Sequence, residues 1–524
     1  MRLLSPPVVL LFLLAMLPFV LPAQTPAPGG KLINLKHANS LKGTGKGKYQ
    51  RLIGDVQFEH QGVLMTCDSA HFFQEKNSLE AYGHVHISQG DSINVWGDQL
   101  VYDGNTRRAD LTKNVRMTDG DMNVVTDAIS YDMNAKTASY VTGGKIISKE
   151  NTLTSQVGIY STEAKAFSFK KNVVLVNPQY TMTCDTLVYG PVSKVAYFHG
   201  PTTIKATNNS NTIYCENGFY DTNADVCQFQ KNAIIVTKEQ QLKGDSIWYN
   251  RKTGVGKAIR NVEIIDTAQD VTIRGDLAVH YDQQDLSLVT GHALYIQSFD
   301  KDSLFLHADT LKSIVVHDST FVNDKKNKKL PKDSVEKTQQ VVLAYRNVRF
   351  YKPDLQGKCD SLSWTSVDST MHLFGAPILW SGESQMTAKT VDLQTSHGQI
   401  MRMDMDVNAF IASKEDSSRF NQIKGKHVTG YFKDNHLYKI YVEGNGQTLY
   451  YAKDQDVMIG VNRADCSRLT IYVQDEEVQS ITFYDKPDAI LYPPKDLPPK
   501  EAILKDFIWR EKEQPASVED LFAE

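Results

Sequence analysis

Cysteine is scarce, with six in 524 residues, which excludes a dense disulfide scaffold. Net charge is small as well: 57 Lys and Arg stand against 61 Asp and Glu, a formal −4, so no basic footprint for nucleic acid exists. Helical periodicity is nearly missing before residue 490, which excludes a helical bundle. Only one apolar run approaches spanning length, Leu3 to Leu21, which excludes a polytopic helical membrane protein. HExxH, CxxC and GxSxG do not occur. What is abundant is aromatic and β-branched sequence, with 24 Tyr and 21 Phe.

The N-terminus predicts the compartment. Met1 and Arg2 precede the apolar run, which closes on Leu21, Pro22, Ala23 and Gln24, the pattern of an export signal cleaved after Ala23. An uncleaved anchor helix is the alternative. Residues 24–48 read as a flexible leader.

A repeat dominates the remainder. One motif runs small residue or Cys, acid, variable, aliphatic, variable, aromatic. It reads CDSAHF at Cys67, GDQLVY at Gly97, TDAISY at Thr126, CDTLVY at Cys184, CENGFY at Cys215, GDSIWY at Gly244 and CDSLSW at Cys359. Its acid falls at Asp68, Asp98, Asp127, Asp185, Glu216, Asp245, Asp276, Asp309 and Asp360, a period of about 30 residues. A second motif interleaves with it, a Gly or Asn followed by alternating β-branched residues: GDVQF at Gly54, GHVHI at Gly83, NVRM at Asn114, NVVLV at Asn172, NAIIV at Asn232, NVEII at Asn261, GHALYI at Gly291 and NVRF at Asn347. Both predict strands, with Gly or Asn as the turn and the acid near the strand's start. About 13 such units of two or three strands give roughly 26 to 40 strands, stacked along one axis.

Strand parity selects an apolar wall. Leu100 with Tyr102, Ile129 with Tyr131, Leu187 with Tyr189, Ile247 with Tyr249, and Leu362 with Trp364 share one face, while Val101 and Val188 point away. These ten residues are the candidate lining of a groove; a closed sandwich in which they are plain core is the alternative. The recurring acids behave as architecture, accepting turn hydrogen bonds, because one active site does not repeat along a whole wall. No catalytic, metal-binding or cofactor-binding residue is assigned. His84 and His86 share a strand face that could suit a metal, but Val85 and Ile87 take the apolar face and leave both in solvent, and no disulfide is expected between Cys184 and Cys215.

The two interleaved motifs, from Gly54 to about Tyr472, resemble those of the OstA/LptA-like lipopolysaccharide-transport family. The resemblance implies an all-β, elongated antiparallel β-jelly roll, the β-taco, whose apolar interior shields the acyl chains of lipid A. It implies a non-enzymatic periplasmic component with no cofactor that bridges toward the outer membrane. The partners implied are lipopolysaccharide, other transport proteins joined end to end, and an outer-membrane translocon, with self-association through terminal strand edges as a further option. The chain has many more units than the family's small bridge component and lacks the long run of membrane strands of the translocon. A periplasmic or surface β-solenoid that binds or cleaves polysaccharide is the competing reading.

The expected organisation is a signal over 1–23, a leader over 24–48, and an N-terminal jelly-roll section over 49–322. A charged loop over 323–340 follows, then a C-terminal section over 341–490 and a Pro-rich tail over 491–524. In the tail, Ile503, Leu504, Phe507 and Ile508 are spaced as on a short amphipathic helix, placed to cover the last strand edge or to bind a partner.

Overall fold

A computed structural model describes residues 32–43, 48–90, 93–120, 122–148, 150–190, 192–299, 302–317, 338–396, 399–433, 436–454, 457–474 and 477–523. The expected export signal, about half of the expected leader and nearly all of the charged loop lie outside these residues; the described part of the leader is not loose but forms two strands, Asn34–His37 and Ser40–Gly43, both paired with Gln50–His60. The described residues form 34 strands, and the pairings among them are antiparallel, as the two motifs require. The chain divides into two compact units, one ending at Thr142 and the other beginning at Gly143. Within the second unit, Ser303–His317 pairs directly with Thr338–Lys352, so its sheet continues past the charged loop.

Both units are antiparallel β-rolls built by one device. Each long strand bends in its middle, and the two halves join two different walls. In the first unit, Arg108–Asp119 pairs with Met122–Asp132 through Thr112 opposite Ala128 and then Val115 opposite Thr126. Lys113 and Asn114 thus face the single residue Asp127, a β-bulge. Both adopt left-handed backbone, with φ of 65° and 51°. The same corner recurs at Lys171–Asn172, Lys231–Asn232, Arg260–Asn261 and Arg346–Asn347, and in glycine form at Gly83–His84 and Gly291–His292.

This corrects the expected placement of both motifs. The Gly or Asn is a corner inside a strand, not a turn between strands, and the acid sits at mid-strand beside it. The misplacement has a physical cause: a mid-strand corner and a hairpin turn need the same left-handed backbone, which Gly and Asn supply. The acids do accept hydrogen bonds, but from the next corner. Asn114 Nδ2 donates to Asp98 (2.6 Å), Asn232 to Glu216 (2.8 Å) and Asn261 to Asp245 (2.9 Å), while His84 and His292 take the Asn place against Asp68 and Asp276. The result is a ladder of polar side chains along the outside of the bend. Asn114→Ala is expected to lower stability by about 1–2 kcal/mol, since alanine resists the left-handed region, and Asn114→Gly by less. Chemical denaturation checks this; an equal loss in both variants would move the effect from the backbone to the hydrogen bond.

Beyond each acid corner, parity shifts so that both halves present an apolar face inward. Ile93, Val95 and Gly97 are buried before Asp98, then Leu100 and Tyr102 after it. We call the wall that carries Leu100 and Tyr102 the tyrosine wall, and the other the facing wall.

The Pro-rich tail departs from expectation. Its first two residues end the strand Asp488–Tyr492; among the described residues beyond, its only helical elements are 3-10 turns at Pro499–Glu501, Glu511–Glu513 and Glu519–Phe522, and it holds no α-helix. It lies on the outer surface of the second unit's facing wall instead of on the terminal edge. It runs back across the strands from Val461 toward His307, where Phe522 meets the imidazole (ring centroids 4.7 Å). Glutamines of the wall hold it by its backbone. Gln422 donates to Ala502 O (3.3 Å) and accepts from Leu504 N (2.8 Å); Gln385 donates to Ile508 O and accepts from Arg510 N, both at 2.7 Å. Gln356 takes Gln514 at 2.8 Å. Backbone groups bound in this way are unavailable for helical hydrogen bonds. Leu504 packs among Phe410, Ala412, Leu449, Tyr451 and Val461, while Ile503 and Ile508 face solvent.

Candidate functional site

The inside of the first unit is filled. Phe58 of the facing wall meets Phe72 of the tyrosine wall (ring centroids 5.4 Å). Leu52, Val56, Val95, Leu111 and Tyr102 are wholly buried. The walls are also bonded to each other at the mouth opposite the corners. His60 Nδ1 pairs with Tyr102 OH at 2.6 Å, and Tyr131 OH donates to Gln89 Oε1 at 2.5 Å. Burial pushes the Tyr102 phenol up to about 12. In this unit the closed-sandwich alternative describes the interior.

The second unit differs. Its inner tyrosine wall carries a deep row of large side chains interrupted by two small residues, Gly218 and Ala258: Leu187, Phe198, Gly218, Phe229, Ile247 and Ala258. Gly218 is required there, since a Cβ would stand 2.3 Å from the Phe198 ring. The next row toward the mouth runs Tyr189, Ala196, Tyr220, Cys227, Tyr249 and Gly256, and its tyrosines remain part-exposed. Two of the hydroxyls are held on their own wall: Tyr220 OH donates to Asp225 (2.7 Å) and Tyr249 OH to Asp282 (2.5 Å). The hydrogen bond to Asp282 pushes the Tyr249 phenol up to about 12.

Further along, the walls stand apart. A cavity of about 240 Å³ lies between Tyr295, Leu306 and Phe350 of the facing wall and Val342, Leu362 and Trp364 of the tyrosine wall. Lys352 borders it, its ammonium 3.0 Å from both Asp302 and Asp354. Burial alone would lower the lysine's pKa, but hydrogen bonds to Asp354 and Asp302 outweigh it and hold the group above its ordinary value. The cation is thereby neutralised locally, and the cavity surface is mostly hydrocarbon.

The ten residues chosen by parity all sit on the tyrosine wall, facing inward. Leu100, Tyr102, Ile129, Tyr131, Leu187, Ile247 and Leu362 are buried; Tyr189, Tyr249 and Trp364 are part-exposed at the mouth. Only Leu362 and Trp364 meet in the cavity. Val101 points outward and is 56% exposed. The facing-wall lining, Tyr295, Leu306 and Phe350, was not selected by sequence reasoning. The alternation after the second motif marks two of the three, Tyr295 in GHALYI and Phe350 in NVRF, but only one wall was read as lining.

Other candidate chemistry resolves into structure. His84 is bonded at its corner, and His86 stacks on Trp96 with centroids 4.9 Å apart. Cys184, Cys215 and Cys359 are buried free thiols, pushed up to about 12 by burial and therefore unreactive. His280 bonds Ser287 Oγ (2.9 Å) and Asp282 (3.2 Å), a serine–histidine–aspartate row at the mouth. Ser287 sits on a strand paired on both sides, where ladder bonding takes the N–H groups that an oxyanion would need.

No helix among the described residues is long and apolar enough to cross a membrane. No curated protein matches the sequence. Residues 31–185 match the family model described as OstA-like protein, so that the chain carries an OstA-like domain over that stretch, and its remaining strands repeat the same corners and walls.

Proposed function

We propose that this protein holds the acyl chains of lipopolysaccharide between the two walls of its second unit and carries them through the periplasm toward the outer membrane. The cavity between Leu306, Phe350, Leu362 and Trp364 supports this reading most directly. A volume of 240 Å³ equals that of about eight waters, enough for an alkyl segment. At about 0.8 kcal/mol per methylene, a six-carbon segment gains roughly 5 kcal/mol on leaving water. The OstA-like family is generally non-enzymatic and periplasmic, and binds lipid alongside other transport proteins. End-to-end neighbours, an outer-membrane translocon among them, and delivery behind a cleaved export signal complete the proposal.

Photocrosslinking tests it. A diazirine side chain at Leu306 or Trp364 should capture purified lipopolysaccharide, and one at the outward-facing Lys257 should not. Equal capture at all three, or none at Leu306 and Trp364, would overturn the reading.

A further inference from the structure

One slot of the repeat carries the same residue in both units yet bonds in opposite directions. The tyrosine stands four residues beyond the corner acid, as Tyr102 after Asp98, Tyr131 after Asp127, Tyr220 after Glu216 and Tyr249 after Asp245. In the first unit it crosses the mouth to the strand three places earlier, and meets that strand's last residue. Tyr102 on Ile93–Asp103 reaches His60 of Gln50–His60, and Tyr131 on Met122–Asp132 reaches Gln89 of Ser78–Gln89. Both receiving residues lie five beyond their own corner, at Asp55 and His84.

The equivalent receivers in the second unit do not serve. For Tyr249 on Gln240–Asn250, the strand three places earlier is Val195–Ala206, and the receiving position is Ala206, which has no polar side chain. For Tyr220 the position is Asn177, whose amide is engaged with Asn151 (2.8 Å) and with Gln179 N (2.9 Å) of its own turn. Acids on the tyrosine wall hold these two hydroxyls instead. Exposure follows the bonding: Tyr102 and Tyr131 are 0% and 1% exposed, whereas Tyr220 and Tyr249 stay partly open to solvent.

We infer that this tyrosine is the gate of the groove. It latches the mouth shut where the facing wall offers His60 or Gln89, and leaves it open where Asp225 or Asp282 holds it back, so that lipid occupies the second unit and is excluded from the first. His60, Gln89, Asp225 and Asp282 are positioning residues that select where along the chain an acyl chain enters. Lengthening the protein by latched units adds reach without adding lipid sites. The inference rests on the lipid reading proposed above, and the experiment separates the two.

Full-length protein carries a diazirine residue at Ile204, on the inner facing wall of the second unit, or at Leu111, inside the first, and purified lipopolysaccharide is the probe. Label is expected at Ile204 and not at Leu111. A latch is then built by combining Ala206→Gln with Asp282→Ala, which gives Tyr249 a receiver and removes its tether. Label at Ile204 should fall at least about fivefold, the scale of one hydrogen bond. Adding Tyr249→Phe, which cannot donate, should restore it. Label at Leu111 equal to that at Ile204 overturns the gate, as does label at Ile204 that the built latch leaves unchanged. A loss that persists with Tyr249→Phe overturns it too, because it would come from the substitutions and not from the hydroxyl. Absence of label at both positions in the unaltered protein overturns the lipid reading itself.

Discussion

Leu504→Ala is expected to destabilise the second unit by about 3 kcal/mol, within the range for truncating a buried leucine. Leu504 is the tail's anchor, enclosed by Phe410, Ala412, Leu449, Tyr451 and Val461, with Phe507 and Trp509 packed beside them. Truncation leaves a cavity that the strands, fixed by their ladder, close only in part. Gln422→Ala should cost a comparable 2–3 kcal/mol by a different route, leaving the buried Leu504 N–H without its acceptor. The two changes touch one site, so their effects should not add. Trp509 packs tilted against Phe420, with centroids 4.8 Å apart, and supplies a fluorescence signal for denaturant titration. The transition of the first unit should not move. A loss under about 1 kcal/mol for both variants would mean that the tail contributes little to holding the wall.

Leu306→Asp is expected to weaken capture of lipopolysaccharide about a hundredfold, close to 3 kcal/mol. Leu306 lies between Tyr295 and Phe350 in register, and all three line the cavity. A carboxylate there needs water that an acyl chain would displace. Burial raises a carboxyl's pKa, so the introduced acid should become neutral as pH falls toward 5, and binding should partly return. His307→Asp, one residue away on the outer face, is the matched control for folding and should leave capture unchanged. Unaltered affinity in Leu306→Asp would show that lipid does not use this cavity.

The sequence carried the strand content, the period and the inward face of the tyrosine wall, because all three depend on alternation at period two. Leu100, Tyr102, Ile129 and Tyr131 face inward as parity requires. It did not carry the corners as corners, since Asn114 and Gly83 look the same whether the chain turns back or only bends. Nor did it separate a filled unit from an open one. That difference lies in pairs some 42 residues apart, such as Tyr102 with His60 and Tyr131 with Gln89, and no local motif records them. The tail failed for a related reason. Its helical spacing is present, but Gln422 and Gln385 compete for the backbone groups a helix would use.

The strap made by residues 493–523 also orders events in time. Phe410, Ala412, Leu449, Tyr451 and Val461 form an apolar surface on the outside of a wall, and their cover lies later in the sequence than every strand it crosses. During synthesis the strands emerge first, and this surface stays wet until the strap follows. A roll made without its strap therefore carries an adhesive flank, a form that chaperones and proteases are equipped to recognise. Burial of Leu504 therefore marks a roll whose strap has been made and has docked.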